Sequence, residues 1–547
     1  MALTNTTVGV LLATIDASIM LIAMPDIFRG IKLDPLEPGN STYLLWLILG
    51  YLVTSSVLVV SVGRLGDLFG RVRMYNLGFA IYTFASLALT VDWMTGHAGA
   101  IWLLVWRIVQ GVGGAFLVGN SGAILTDAFP AHQRGLALGI NNVAGISGTF
   151  IGLVLGGLLA PINWRLVFLI SVPCGVFGGL WAWRKLRDVG ARSGEPVDWL
   201  GNATFALGLV LVMVGITHGI QPHGGHTMGW TSPLVLGSLA GGTLLLVGFA
   251  VVESKVRYPM FRLALFRIRA FTFGTLSTFL SALGRGGLMF MMIIWLQGIW
   301  LPLHGYSFES TPLWAGIYML PVTLGFLLAG PVSGYLSDRF GARPFTACGM
   351  LAAAVGFLLL ELLPINFSYP AFAAILLLNG LAMGCFAAPN RAAVMNSLPA
   401  RHRGAGGGMN STFQNSAQVF SIGIFFSLMI AGLAAALPAT MTAALRAHHV
   451  PAEVAAAVGA SPPVSVLFAA FLGYNPIEHL VGRPVLDQLP AADVAALTGP
   501  HFFPNLISGP FQAGLHIAFG FAIGCCLVAA VASLARGSRY VAIDPER

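Results

Sequence analysis

The sequence predicts an all-α membrane protein with 14 transmembrane helices, two six-helix bundles with two helices inserted between them. Composition is the first reason. Of 547 residues, 56% are apolar and 9% are charged, where a soluble domain carries roughly 25% charged residues. The apolar residues gather in runs of about 20, the length that crosses a hydrocarbon core. Internal repetition is the second reason. Gly63-Arg64-Leu65-Gly66-Asp67-Leu68-Phe69-Gly70-Arg71-Val72-Arg73 is echoed 271 positions later by Gly334-Tyr335-Leu336-Ser337-Asp338-Arg339-Phe340-Gly341-Ala342-Arg343. Arg134-Gly135, Gly139 and Asn141 return 269 positions later as Arg403-Gly404, Gly408 and Asn410. Two echoes at nearly one offset mean an internal duplication, and duplicated halves in a very apolar chain mark a secondary transporter. Charge placement is the third reason. Of 28 Lys and Arg residues, 21 fall in the even-numbered loops and the C-terminal tail, 5 in the odd loops, and Arg107 and Arg285 within spans. Positive loops stay in the cytoplasm, so both termini are expected inside.

The spans are expected at 7–28, 43–62, 75–91, 101–122, 135–160, 166–184, 200–217, 232–252, 271–301, 312–332, 345–364, 370–390, 407–434 and 511–535. Helix 1 has no basic leader and no small-residue cleavage site, and it carries Asp16, so it reads as a retained span. Helix 2 runs into the first copy of the repeated loop and helix 10 into the second. Helix 4 holds Leu103, Arg107, Gln110, Gly111 and Gly113; helix 5 holds Gly148, Gly152, Leu153, Gly156 and Gly157. Because helix 2 corresponds to helix 10 and helix 5 to helix 13, helices 7 and 8 are the insertion. The expected domains are residues 1–188, the first bundle; 189–270, the inserted helices with their cytoplasmic linkers; and 271–547, the second bundle. The last includes an extracytoplasmic loop at 435–510. Within it, Val464–Gly473 is apolar but too short to span. It reads as a helix in the membrane interface, one packed on the protein, or a lid.

Other functions fit poorly. The net charge of +8 comes from short loops between spans, so no nucleic-acid partner is expected. Cys174, Cys348, Cys385, Cys525 and Cys526 lack metal-ligand spacing and read as packing residues. Gly111 to Ala115 is glycine-rich but lies inside a span, where it cradles no phosphate. His223 and His226 have no Cys or carboxylate companions, so no metal is expected. Arg outnumbers Lys 25 to 3, which hints at a GC-rich bacterial genome.

The ordered motifs resemble those of the major facilitator superfamily, and within it the fourteen-helix drug:proton antiporters. The Gly63–Arg73 loop is similar to the family's G-x-L-a-D-r-x-G-r. Leu103, Arg107, Gln110, Gly111 and Gly113 are similar to l-x-x-x-R-x-x-q-G-x-g. Gly148, Gly152, Gly156 and Gly157 resemble the antiporter motif g-x-x-x-G-P-x-x-G-G. Asp16, Ser18, Ile19, Ala23, Met24 and Pro25 resemble the helix 1 pattern of the fourteen-helix group. Trp164-Arg165, Phe168 and Pro173 look like that group's start of helix 6. The chain departs at Leu153, where the family has proline; the four glycines still permit close helix packing. The resemblance covers the chain outside 435–510. It implies the major facilitator fold and alternating access. It also implies a monomer among the lipids of the cell (inner) membrane, a small-molecule substrate, and no cofactor, the proton gradient being the energy source.

The charged residues can be weighed physically. A carboxylate at mid-span costs roughly 2.5–3.5 kcal/mol on insertion scales, so Asp16 should face a cavity or a partner. By helical rise it lies about 14 Å from the inner edge and Arg107 about 21 Å, a gap an Arg side chain can reach. Asp16 and Arg107 are therefore the candidate proton-coupling pair; a static ion pair is the alternative. Arg285, among Gly284, Gly286 and Gly287, is the candidate cavity cation, with a buried interhelical pair as its alternative. Gln110, Asn141 and Met289 join it as cavity candidates. Asp67 follows the negative end of a helix dipole and should seek Arg71 or the N-terminus of another helix; the resemblance implies that this helix is number 13, starting near Gly404–Gly408, and that Asp338 meets the start of helix 5 near Arg134 and Gly135 in the same way. Gly63, Asp67, Gly70, Arg71, Arg73, Asp338, Arg339 and Arg343 are the candidate cytoplasmic gate, with solvated loop charges as the alternative. The function expected is proton-driven export of small, amphipathic compounds. A lipid or metabolite exporter on the same scaffold, and a non-transporting receptor or scaffold, are the alternatives.

Overall fold

The computed structural model describes residues 1–34, 36–37, 39–188, 197–259, 261–399, 403–473 and 475–537, with 131–136 and 403–404 described by backbone alone. Fourteen long helices follow one another. They are α1 Ala2–Gly30, α2 Asn40–Phe69, α3 Arg71–Thr90, α4 Gly96–Ala128, α5 Ala131–Leu159, α6 Leu166–Lys185, α7 Trp199–Gly219 and α8 Pro233–Lys255. Then come α9 Arg269–Leu303, α10 Thr311–Phe340, α11 Ala342–Glu361, α12 Tyr369–Asn396, α13 Arg403–Ala447 and α14 Phe502–Ala535. Thirteen of them are long and apolar enough to cross a membrane by length and composition. The other is α3, which at 20 residues is long enough to cross but carries Arg71, Arg73 and Asn76. Its Tyr75 and Tyr82 are fully buried in the bundle, so neighbouring helices satisfy the polarity that weakens its apolar signal.

The packing repeats as the sequence does. Among the first six helices, α1 lies along α5, α4 packs on α2 and α3, and α3 on α6. Among the last six, α9 lies along α13, α12 packs on α10 and α11, and α11 on α14. The inserted pair α7 and α8 pack on each other, and α7 rests on α2 and α13, one helix from each half. The chain after α8 folds into a short 3₁₀ turn, Leu263–Arg267. Phe261 there is 3% exposed and its ring lies 5.6 Å from that of Phe413 on α13. This segment packs on α13, Phe266 also lying against Phe413.

The largest departure from the expected spans is at the end. The thirteenth helix runs to Ala447, 45 residues in all, and α14 begins at Phe502. The loop is therefore 448–501, not 435–510. At 1.5 Å per residue α13 is about 67 Å long, far more than a core roughly 30 Å thick requires. The alanine-rich stretch after Leu433 lacks the apolarity of a span, which is why it reads as loop. Alanine is nonetheless the best helix former. Leu433, Leu437, Met441 and Leu445 also form one face of the extension, each no more than 1% exposed. Helix Ala452–Gly459 folds back against that face. The chain then bends by 83° into helix Pro463–Phe471. All nine residues of this helix are buried. Burial of a large apolar side chain is worth roughly 1.5–3 kcal/mol, so Val464, Val466, Leu467, Phe468 and Phe471 together fix it firmly. The helix is packed on the protein.

The remainder of the loop is tied to the end of α13. Asp493 accepts hydrogen bonds from Nδ1 of His448 at 3.0 Å and of His449 at 2.9 Å. Those bonds hold the Asp493 carboxyl below its ordinary value of 3.8, His449 contributing first and His448 next.

Candidate functional site

The candidate site starts from glycines. On α5, an added Cβ at Gly148 would sit 2.1 Å from Thr14 Oγ1, at Gly152 2.3 Å from the Ile15 carbonyl, and at Gly156 2.9 Å from the Ile19 carbonyl. These three glycines bring the backbone of α1 directly onto α5. Gly157 turns the other way, its missing Cβ 2.3 Å from Leu313 Cα on α10. Leu153, standing where the family has proline, is fully buried, and its carbonyl meets Gly316 of α10. One helix thus seats α1 on one side and touches the second half on the other.

The α1 backbone so placed carries Asp16 into the interior of the first bundle. Asp16 is 0% and Arg107 1% exposed, and Nη1 of Arg107 donates to Oδ2 of Asp16. Arg107 Nη1 also donates to Gln110 Oε1 at 2.7 Å, and Gln110 Nε2 donates to Ser86 Oγ at 2.9 Å. The guanidinium lies 4.7 Å over the Tyr51 ring. Tyr51 and Tyr82 donate to the carbonyls of Ala13 and Leu12, fixing α2 and α3 to α1 beside the carboxylate. The second carboxylate oxygen, Oδ1, is buried with no hydrogen-bond partner. Sequence reasoning missed Tyr51, Tyr82 and Ser86. Two tyrosines seven apart on α3, Tyr75 and Tyr82, were the available signal.

Gln110 belongs to this network. It is fully buried, and its amide bonds Arg107 and Ser86. Asn141 is partly buried on α5 and donates to Ser121 Oγ at 3.0 Å. Arg285 and Met289 are both partly buried, four residues apart on one face of α9. Among the described residues, no carboxylate lies within ion-pair distance of Arg285. Asp16 and Arg285 sit in opposite halves, Asp16 fully buried and Arg285 partly buried. Asp16 is sealed inside its own bundle, because pairing with Arg107 there satisfies its charge at short range.

At the end of the molecule that carries both termini, Arg71 joins two carboxylates. It contacts Asp67 at 2.8 Å and Asp127 at 2.6 Å. Asp67 thus takes the first of its two expected partners, Arg71, within its own half. Gly70 between α2 and α3 has φ +107°, and an added Cβ would lie 2.4 Å from Asp188 Oδ2. Asp188 uses that space to accept from the Val72 N–H at 2.7 Å, capping α3 from outside. Gly63 lies near Gly119 of α4, and a cavity of about 200 Å³ opens beside Arg71, Asp127 and Asp188. Arg73, Asp338, Arg339 and Arg343 are exposed, Arg339 resting 5.3 Å over the Tyr335 ring. The expected meeting of Asp338 with Arg134, and the start of α13 at Arg403-Gly404, involve side chains outside the described residues. Across the halves, Ser56 meets Ser416 at 3.2 Å and Arg391 donates to Asn142 at 3.0 Å.

A duplicated fourteen-helix fold with a buried Asp–Arg pair defines a membrane transporter. The Major Facilitator Superfamily profile matches residues 6–422, and the chain belongs to that family. Its members are transporters, not enzymes. The multidrug transporter protein MdtP of Bacillus subtilis is 29% identical over 389 residues, 70% of this chain and 66% of that protein, just under two thirds of its length. The tetracenomycin C resistance and export protein of Streptomyces glaucescens is 27% identical, covering 84% of this chain and 82% of its own. The riboflavin transporter RibZ of Clostridioides difficile is also 27% identical, covering 78% and 86%. Among solved structures, an inward-facing bacterial homologue of the human lysosomal transporter Spinster superposes with a TM-score of 0.58. It is 16% identical and 98% of each chain is covered, a likeness of fold.

Proposed function

We propose that this protein exports small amphipathic compounds in exchange for protons, by alternating access, with both termini in the cytoplasm. The observation that carries the reading is the sealed Asp16–Arg107 pair with its orphaned Oδ1. A proton taken up at Oδ1 would release Asp16 from Arg107. Arg107 cannot lose its charge, but it keeps Gln110, the Leu47 carbonyl and the Tyr51 ring. The pair would thus switch between two arrangements that differ by one proton. The tetracenomycin C resistance and export protein supports the direction of transport, and the riboflavin transporter keeps a metabolite as the second substrate reading. The test is accumulation of a compound panel in an exporter-deficient host, with and without a protonophore. Accumulation that ignores both the protein and the protonophore would refute the proposal.

Arg285 would select substrates. A mid-span cation with no acid partner favours an anionic or polar substrate group. Arg285→Ala should lower export of anionic compounds relative to neutral ones several-fold, with abundance near wild type. An export profile identical to wild type would remove Arg285 from recognition.

The Asp67–Arg71–Asp127 cluster would steady the cytoplasmic end of the first half. Exposed ion pairs are worth about 0.2–1 kcal/mol, so Asp67→Asn should shift the conformational equilibrium by only about 1.4- to 5-fold. The expected direction is toward the state open at the terminal face, read as cysteine accessibility from that side. Unchanged accessibility would leave Asp67 as a loop charge.

A further inference from the structure

The loop between α13 and α14 does not hang in solvent. Its helix Pro463–Phe471 touches α2 of the first half, and α9, α13 and α14 of the second. It is a buried apolar wedge between the halves, at the end of the molecule opposite the termini. Its attachments are unequal. Phe471 meets Phe290 of α9 with ring centroids 5.4 Å apart, and Phe468 meets Phe426 of α13 at 5.5 Å. The Ala470 carbonyl packs on Gly298, 3.0 Å from where a Cβ would be. Gly298 lies in Leu296–Trp300, a π-helical turn that interrupts α9. Such turns mark functional positions within helices. The flanks are also held by the second half: Ala452–Gly459 packs along α13, and Asp493 binds His448 and His449 just beyond the end of α13. Against the first half, among the described residues, its main contact is with α2.

We propose that Pro463–Phe471 is a plug that rides with the second half and closes the far end of the transport pathway against α2. When the halves part at that end, the contact with α2 breaks and the aromatic contacts with α9 and α13 persist. The plug moves as part of the second bundle. The inference rests on the transporter reading; its labelling arm needs neither substrate nor proton gradient, so the two fail separately.

The test uses the full-length chain with its five cysteines replaced by serine or alanine and Met289→Cys, next to Phe290 on which the plug rests, as reporter. A membrane-impermeant maleimide is applied to right-side-out and inside-out vesicles. Phe468→Ala, and the milder Phe471→Leu, should raise labelling from the face opposite the termini at least several-fold, with labelling from the terminal face unchanged or lower. Either variant recovered as a monodisperse protein with unchanged labelling from the opposite face would overturn the plug. A second arm joins Phe426→Cys to Phe468→Cys with a short bifunctional linker. Efflux of a compound the wild type exports should survive this cross-link. Loss of efflux, restored on cleaving the linker, would overturn the claim that the plug travels with the second half.

Discussion

Asp16→Asn is expected to reduce proton-driven efflux to background while the protein still folds and inserts. Asparagine keeps the size of the side chain and an acceptor for Arg107, but it cannot take up or release a proton. It imitates the protonated state permanently. The surroundings tolerate that state, because Arg107 retains Gln110 at 2.7 Å and the face of Tyr51 at 4.7 Å. Vesicles with an imposed pH gradient read the loss directly, and abundance in the membrane controls for folding. Full gradient-driven transport by the asparagine variant would exclude Asp16 from coupling and leave the static ion pair as its role.

Arg107→Leu is expected to act on stability rather than on transport alone. Removing one partner of a buried ion pair costs about 3–5 kcal/mol, because the remaining charge is left in a low-dielectric interior. Asp16 would lose its donor, and its Oδ1 already lacks one. Thermal unfolding in detergent should show a marked loss for the single variant. The Asp16→Asn/Arg107→Leu double variant should recover much of it, since no uncompensated charge remains. The two changes lie within one network and should therefore be strongly non-additive. A double variant no more stable than Arg107→Leu would mean that Arg107 stabilises through packing on Tyr51 and Leu47, not through Asp16.

Both expectations use a pair that was nearly legible in the chain. The rise per residue placed Asp16 and Arg107 within side-chain reach, since a straight helix in a core of known thickness fixes depth. The same rule could not place Gln110. Its spacing from Arg107 puts it near the same face of α4, but whether that face meets a cavity or Ser86 depends on how α3 is rotated. Depth is a property of one helix; rotation is settled by packing between helices.

The chain alone determined the number of helices, their order, the duplication and the reach between Asp16 and Arg107. Those follow from runs of apolar residues, from a repeat offset and from the cost of charge in hydrocarbon, all local quantities. Tertiary structure decided the rest. The extension of α13 through Ala447 is stable because Leu437, Met441 and Leu445 find cover in the helix that folds back on them. The apolar stretch Val464–Gly473 says only that it avoids water. That its helix lies between two halves, on Phe290 and Phe426, requires partners more than 35 residues away, and no local pattern encodes where such partners meet.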